Sequence, residues 1–228
     1  LDSGRACAKA LRKKGYKVSI YDPKKKPLNL IYKKKIDIIF NALHGKNGED
    51  GYAQSYFEYF KIPYTHSGIM SSYNAMDKLI SKKIFKQKGL YTPKYFSILS
   101  HEFNREYLKR LIKKNKIIFP IVVKPTNEGS SLGVKICDNL NKLNYASKFL
   151  FKKYEELIYE PFIGGQEIQV AVINGEPLGA IELKPKRKFY DYQAKYNSKA
   201  KTEHLIPVKL REKKLNEVLN IALKAHQI

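Results

Sequence analysis

Residues 121–136 read Ile121-Val122-Val123-Lys124-Pro125-Thr126-Asn127-Glu128-Gly129-Ser130-Ser131-Leu132-Gly133-Val134-Lys135-Ile136. Ile121 to Val123 and Leu132 to Ile136 are short runs rich in β-branched residues. They predict two strands with the glycine and serine loop as the turn of a hairpin. Walker-type phosphate loops lead instead from a strand into a helix, with Lys and Ser or Thr directly after the second glycine. Here Val134 follows Gly133 and a strand follows the loop, so a Walker loop and a dinucleotide fingerprint are both excluded. What remains is a loop without bulky side chains, whose backbone N–H groups and two hydroxyls can close over a polyanion, with Lys124 at its base. Taken alone, such a loop is better explained as an ordinary flexible hairpin turn.

Length and composition bound the rest. The chain has 228 residues and 43% hydrophobic content, enough to bury a core in one or two domains. No run of 18 apolar residues occurs, so no membrane span is expected. Cys7 and Cys137 lie far apart in apolar segments without a metal-binding spacing, and they read as buried free thiols of a cytoplasmic protein. The formal charge of +23 comes from 44 basic residues, of which only six are Arg. They are scattered through helices and turns, whereas nucleic-acid surfaces favour Arg with aromatic interleaving. A solvated basic surface is the better reading, and no specific nucleic-acid partner is expected.

Along the chain, Ser3 to Lys14 reads as a helix ended by Gly15. Tyr16 to Tyr21 reads as a strand, Lys24 to Lys35 as a basic connection, and Ile36 to Leu43 as a strand of the kind buried in a parallel sheet. His44-Gly-Lys-Asn-Gly-Glu49-Asp50-Gly51 follows that strand directly. Ligands in open α/β sheets sit beyond the carboxyl ends of strands, which makes His44 and Glu49 candidates; a tight glycine turn explains them equally well. Tyr52 to Phe60 is helical and Ile62 to Thr65 a short strand. Ser71 or Ser72 is placed to cap one long helix through Lys88, stopped by Gly89. Tyr95 to Leu99 is a strand, Glu102 to Lys114 a helix, and Leu157 to Glu160 a strand. Glu167 to Ile173, with Asn174-Gly175 as turn, pairs with Leu178 to Leu183 in a hairpin. Lys184 to Pro207 is too irregular for a regular element and has the length of a lid. Leu210 to His226 is a final amphipathic helix.

Two further stretches bear on chemistry. In Tyr159-Glu160-Pro161-Phe162-Ile163-Gly164-Gly165-Gln166-Glu167, a strand breaks at a bend and frees backbone groups for an adenine edge. Glu160 and Glu167 could accept from the amino group and the ribose hydroxyls; two surface glutamates beside a turn are the plain alternative. In Phe189-Tyr190-Asp191-Tyr192-Gln193-Ala194-Lys195-Tyr196, Lys195 suits a lid closing on phosphate, and a solvated loop with buried rings is the alternative.

With these residues in view, the chain resembles the D-alanine--D-alanine ligases of the ATP-grasp superfamily. The matching segments are Leu43-His44-Gly-x-x-Gly-Glu49-Asp50-Gly51, Pro63-Tyr64-Thr65-x-Ser67-Gly68, Met76-Asp77-Lys78, Val123-Lys124-Pro-x-x-Glu128-Gly129-Ser130-Ser131-x-Gly133 and Phe189-Tyr-Asp-Tyr-x-Ala-Lys195-Tyr196, in family order over nearly the whole chain. The resemblance implies an ATP-grasp fold of the α/β and α+β classes. Its parts would be an N-terminal parallel α/β domain (1–66) and two antiparallel-sheet subdomains (67–161 and 162–228) that clamp ATP. It implies that the carboxylate of one D-alanine attacks the γ-phosphate, and that the amine of a second displaces phosphate from the acyl phosphate, for peptidoglycan precursor synthesis. Such chemistry rests on positioning and charge neutralisation.

By the same resemblance, Lys78 and Lys124 are phosphate contacts and Lys195 the lid lysine. Glu160 and Ile163 meet adenine, Glu167 the ribose. Glu128, Gly129 and Ser131 belong to the phosphate loop. Ser130 matches the catalytic serine, which pairs with Tyr196; His44 and Glu49 lie at the substrate site. Tyrosine at 196 favours the dipeptide over a depsipeptide. Mg²⁺, or Mn²⁺ in its place, is the implied companion of ATP. No metal residue is assigned, because the family's metal ligands are expected beyond Ile228 and its first D-alanine glutamate before Leu1. The expectation is a fragment that is inactive by itself. Pro161 departs from the lysine that many relatives carry there. Similar ligases are usually homodimers, although no stripe in this sequence proves an interface. Two other readings are another ATP-grasp carboxylate-amine ligase and a non-catalytic nucleotide-binding module.

Overall fold

Helix α1, Asp2–Lys13, forms over the predicted run, and the chain then folds back on it. The Tyr16 amide donates to Leu11 O at 3.2 Å, and Arg12 Nη2 to Val18 O at 2.8 Å. The strand expected at Tyr16 to Tyr21 does not form. A strand needs a ladder partner, and this segment has none among the described residues, with Tyr16 and Ile20 exposed. The computed structural model describes residues 2–184 and 202–228, and the chain divides into two units, Leu1–Asp77 and Lys78–Ile228.

In the first unit, Leu28–Lys33 is a short 3-10 turn whose Leu28 and Ile31 are buried with Ala53 and Phe57. The basic connection therefore contributes core. The strand expected over Ile36 to Leu43 is reduced to one parallel bridge, Ile39 with Tyr64. There the Ile39 amide donates to Pro63 O at 2.8 Å and the Thr65 amide to Ile39 O at 3.0 Å. Asn41 ends the pairing. Its amide donates to Thr65 Oγ1, and its own side chain accepts the Leu43 amide, a local bond that competes with a ladder. Helix α2 is Tyr52–Tyr59 and α3 is Ile69–Met76.

The single helix expected up to Lys88 is two helices. Asp77 is extended (φ −89°, ψ 115°), and α4 starts at Lys78 and runs to Gln87. The Lys78 amide donates to Thr126 O at 2.9 Å instead of to a preceding helical carbonyl. Gly89, at φ +73°, then turns the chain so that Leu90 N bonds Phe85 O.

The second unit carries two antiparallel sheets. The first has the order β1-β4-β2-β3, from β1 (Phe96–Leu99), β2 (Ile121–Pro125), β3 (Lys135–Cys137) and β4 (Glu156–Pro161). Helix α5, Arg105–Asn115, starts later than expected because Asn104 caps it, accepting from the Tyr107 amide. Helix α6, Leu140–Leu150, is capped in the same way by Asn139; it was not expected from the sequence. Register makes the two sheet faces different. Ile121, Val123, Leu157 and Tyr159 share one face and pack with α5 and α6 residues Leu108, Leu143 and Leu150. Val122, Lys124, Ile158 and Glu160 share the other. Phe96 stacks on Tyr159 at 4.8 Å.

The second sheet is β5-β6-β7: β5 (Glu167–Ile173), β6 (Glu176–Lys184) and β7 (Glu203–Leu205). Asn174 and Gly175 make the predicted two-residue turn at positive φ. β7 lies inside the segment expected to be irregular; it pairs with Glu182, Leu183 and Lys184. Helix α7, Glu212–Gln227, closes the described chain.

Both cysteines are free, but only Cys137 is buried; Cys7 is half-buried, contrary to the expectation for both. It sits on a helix with little of its surface covered, where α1 has Ala8 as its buried residue. Burial, with help from Asp138, pushes the Cys137 thiol above its ordinary range. A thiol reagent at pH 8 is expected to label Cys7 within minutes and Cys137 only on unfolding. Peptide mapping after native labelling checks this, and equal labelling would contradict the packing of α6 on β3.

Candidate active site

Alternation along β2 and β4 puts Lys124 and Glu160 on the face away from the α5/α6 core. Helix α4 covers this face through its Lys78 and Lys82, one turn apart on the helix. Lys82 Nζ lies 2.5 Å from Glu160 Oε1, and Lys124 Nζ pairs with Glu160 Oε2. Lys82 and Glu160 are buried, their side chains 10% and 7% exposed, while that of Lys124 is 22% exposed. One carboxylate thus sits between two ammonium groups, and the cluster carries one net positive charge. Burying three charges is costly unless they are paired. The surplus cation is placed where an anion from solvent can complete it.

The glycine and serine loop lies at the end of the same strand. Lys78 Nζ donates to Glu128 O at 2.5 Å and to Thr126 O at 3.3 Å, which fixes the loop's base to α4. Ser130 and Ser131 are both left-handed, at φ 52° and 60°, a conformation costing on the order of 1 kcal/mol or more per residue. Two amides serve the loop's own turns, Leu132 N to Gly129 O and Val134 N to Ser131 O. The Glu128 carboxylate is 3.6 Å from Lys153 Nζ.

Lys78, Lys124, Glu128, Gly129, Ser130, Ser131 and Glu160 are therefore brought to one strand end and the helix above it. Ile163 is exposed in the bend after β4, where the Phe162 amide bonds Pro120 O. Glu167 opens β5 opposite Leu183. Lys195 and Tyr196 lie outside the described residues. Sequence reasoning missed Lys82, and it missed Glu182, a buried acid on β6 that accepts from Gln166 at 3.1 Å.

His44 and Glu49 belong to the first unit. Their side chains approach to 3.5 Å, and Glu49 accepts the Gly45 amide at 2.6 Å. The loop is held from below by two buried amides, since Asn41 Nδ2 and Gln54 Nε2 both donate to Gly48 O at 3.1 Å. A Cβ on Gly48 would stand 2.5 Å from Leu43 Cβ, so this position requires glycine. Neither amide was singled out from the sequence. Among the described residues no group of three His, Cys, Asp or Glu could hold a metal ion.

Comparison with known proteins settles the family. Residues 84–228 match the family model "D-ala D-ala ligase C-terminus" and residues 5–67 match "D-ala D-ala ligase N-terminus". The D-alanine--D-alanine ligase of Pelagibacter ubique is 54% identical over 228 residues, covering 100% of this chain and 74% of its own. The chain belongs to the D-alanine--D-alanine ligase family. Its fold is that of the solved ligases. The D-alanine--D-alanine ligase of Bacillus anthracis superposes with a TM-score of 0.74 at 36% identity, over 89% of this chain and 64% of that one. The same enzyme complexed with ATP gives 0.70 at 32% identity, over 88% and 62%. The VanG D-Ala:D-Ser ligase of Enterococcus faecalis gives 0.71 at 29% identity, over 85% and 56%. This member of the ligase family thus has the ATP-grasp fold expected of it, and spans about three quarters of the Pelagibacter relative.

Proposed function

We propose that the protein joins two D-alanine molecules with ATP, releasing ADP and phosphate, to supply D-alanyl-D-alanine for peptidoglycan precursors. The observation that carries this is the buried Lys82 and Glu160 pair, joined by the half-buried Lys124, beside the Lys78-anchored loop, in a chain of the ligase family. Its relative from Bacillus anthracis was solved with ATP. A carboxylate oxygen of the first D-alanine attacks the γ-phosphorus and ADP leaves. The amine of the second then attacks the acyl carbon, loses a proton and expels phosphate.

This chain's residues supply position and charge. Lys124 and Lys78 meet phosphate oxygens, and Glu128, Gly129 and Ser131 shape the loop that lies against them. Glu160 and the Ile163 backbone take the adenine edge, and Glu167 the ribose. Ser130, partnered by Tyr196, helps hold the second D-alanine, and Lys195 meets the γ-phosphate; the acyl phosphate must be kept from water. His44 and Glu49 serve the amino-acid substrate. The two antiparallel-sheet subdomains, 67–161 and 162–228, are the parts that clamp the nucleotide, and the N-terminal part, 1–66, binds the amino-acid substrate. Mg²⁺ is the expected partner of ATP and would neutralise phosphate charge when bound. The described residues present no ligand set for it, and none of these side-chain roles passes through it. The enzyme works in the cytoplasm as a homodimer.

A second reading has a specific basis, because the VanG relative is a D-Ala:D-Ser ligase. ADP release by the complete gene product with Mg²⁺ and ATP decides between the two. Release that requires D-alanine alone supports the proposal, and release that rises only when D-serine is added supports the second reading. Release indifferent to either amino acid sinks both.

A further inference from the structure

We propose that Lys82 is a positioning residue of the nucleotide site, keeping the Glu160 carboxylate charged and aimed while Lys124 exchanges that carboxylate for phosphate. This rests on the ATP reading above. Lys82 has anchors besides Glu160: its Nζ donates to Pro93 O at 3.2 Å and lies 5.1 Å from the centre of the Tyr95 ring. It is also the less accessible of the two lysines. When an anion arrives, Lys124 is therefore the one free to turn to it, and Lys82 stays.

The consequence follows from what a buried carboxylate does when it loses its cation. Desolvation favours the neutral acid, which carries an O–H donor. The adenine amino group is itself a donor, so a protonated Glu160 would present the wrong partner. With Lys82 in place the carboxylate remains an acceptor after Lys124 has left. Two lysines on one glutamate are thus divided in role, one to move and one to hold.

The test uses the complete gene product and measures ATP affinity by titration at pH 8. Lys82→Met is expected to weaken ATP binding at pH 8 by about 30-fold or more, the effect of removing one partner of a buried charge pair. The KM for ATP rises accordingly while that for D-alanine is unchanged. The pair Lys82→Met with Glu160→Gln should bind ATP as Glu160→Gln alone does, because Lys82 then has no carboxylate to hold. That comparison remains decisive if the single variant does not fold. Affinity equal to wild type in Lys82→Met, or an undiminished effect of Lys82→Met in the Glu160→Gln background, would overturn the proposal. Wild-type protein that fails to bind ATP would instead overturn the parent reading.

Discussion

Replacing Lys124 by methionine is expected to lower kcat/KM for ATP by roughly 10³-fold while leaving the melting temperature nearly unchanged. The two outcomes come from one arrangement. Glu160 keeps Lys82 at 2.5 Å, so no buried charge is left unpaired, and the stability cost stays near 1 kcal/mol instead of the several expected when a buried ion loses its partner. The cluster's net charge, however, falls from +1 to zero, and the surplus that attracts phosphate is gone. A preorganised cation at transferring phosphoryl oxygens is worth about 3–4 kcal/mol or more, and each 1.36 kcal/mol is tenfold in rate. Steady-state ADP release and a thermal melt on the same preparation check both halves. A large fall in melting temperature would show that Lys124 is structural, and unchanged kcat/KM would show that it does not meet phosphate.

The second large effect is expected at Gly133. A Cβ there would stand 2.8 Å from both Cδ and Cγ of Pro125, and the residue has φ +73°. Pro125 ends β2 in register with Leu157 and cannot step aside without breaking that pairing. Gly133→Ala combines left-handed strain with overpacking, together roughly 2–5 kcal/mol. Gly129, in the same loop, has nothing within 4 Å of its ideal Cβ, and Gly129→Ala is expected to lie within about 0.5 kcal/mol of wild type. Urea midpoints of the two variants make the comparison. Equal midpoints would mean that the loop does not pack on Pro125 as described.

Much of the second unit is legible in the sequence, because its signals are local. The Gly129 to Gly133 loop lies between two β-branched runs, Asn174-Gly175 admits few turns, and Gly89 stops a helix by its own conformational freedom. The failures are of a different kind. Tyr16 to Tyr21 and Ile36 to Leu43 carry strand-like composition, but a ladder depends on residues far away in sequence, and only Ile39 finds one. Lys82 was passed over for a related reason. On an amphipathic helix a lysine reads as solvated surface, and nothing nearby in sequence announces that Glu160, 78 positions on, will meet it. The break at Asp77 escaped because Lys78 bonds Thr126, again through a contact beyond any local window. The site's glycines and serines were legible; its charge balance required the fold.

The strand order β1-β4-β2-β3 also dictates a sequence of events as the polypeptide matures. The β2–β3 hairpin, with its glycine and serine loop, joins segments that are close along the chain and can zip early. Union of β2 with β4, which brings Lys124 to Glu160, must wait until a longer stretch including α6 has been gathered in, and sequence-distant contacts of this sort are slow to form. A nascent chain would thus own its glycine and serine loop well before Lys124 acquires its carboxylate partner.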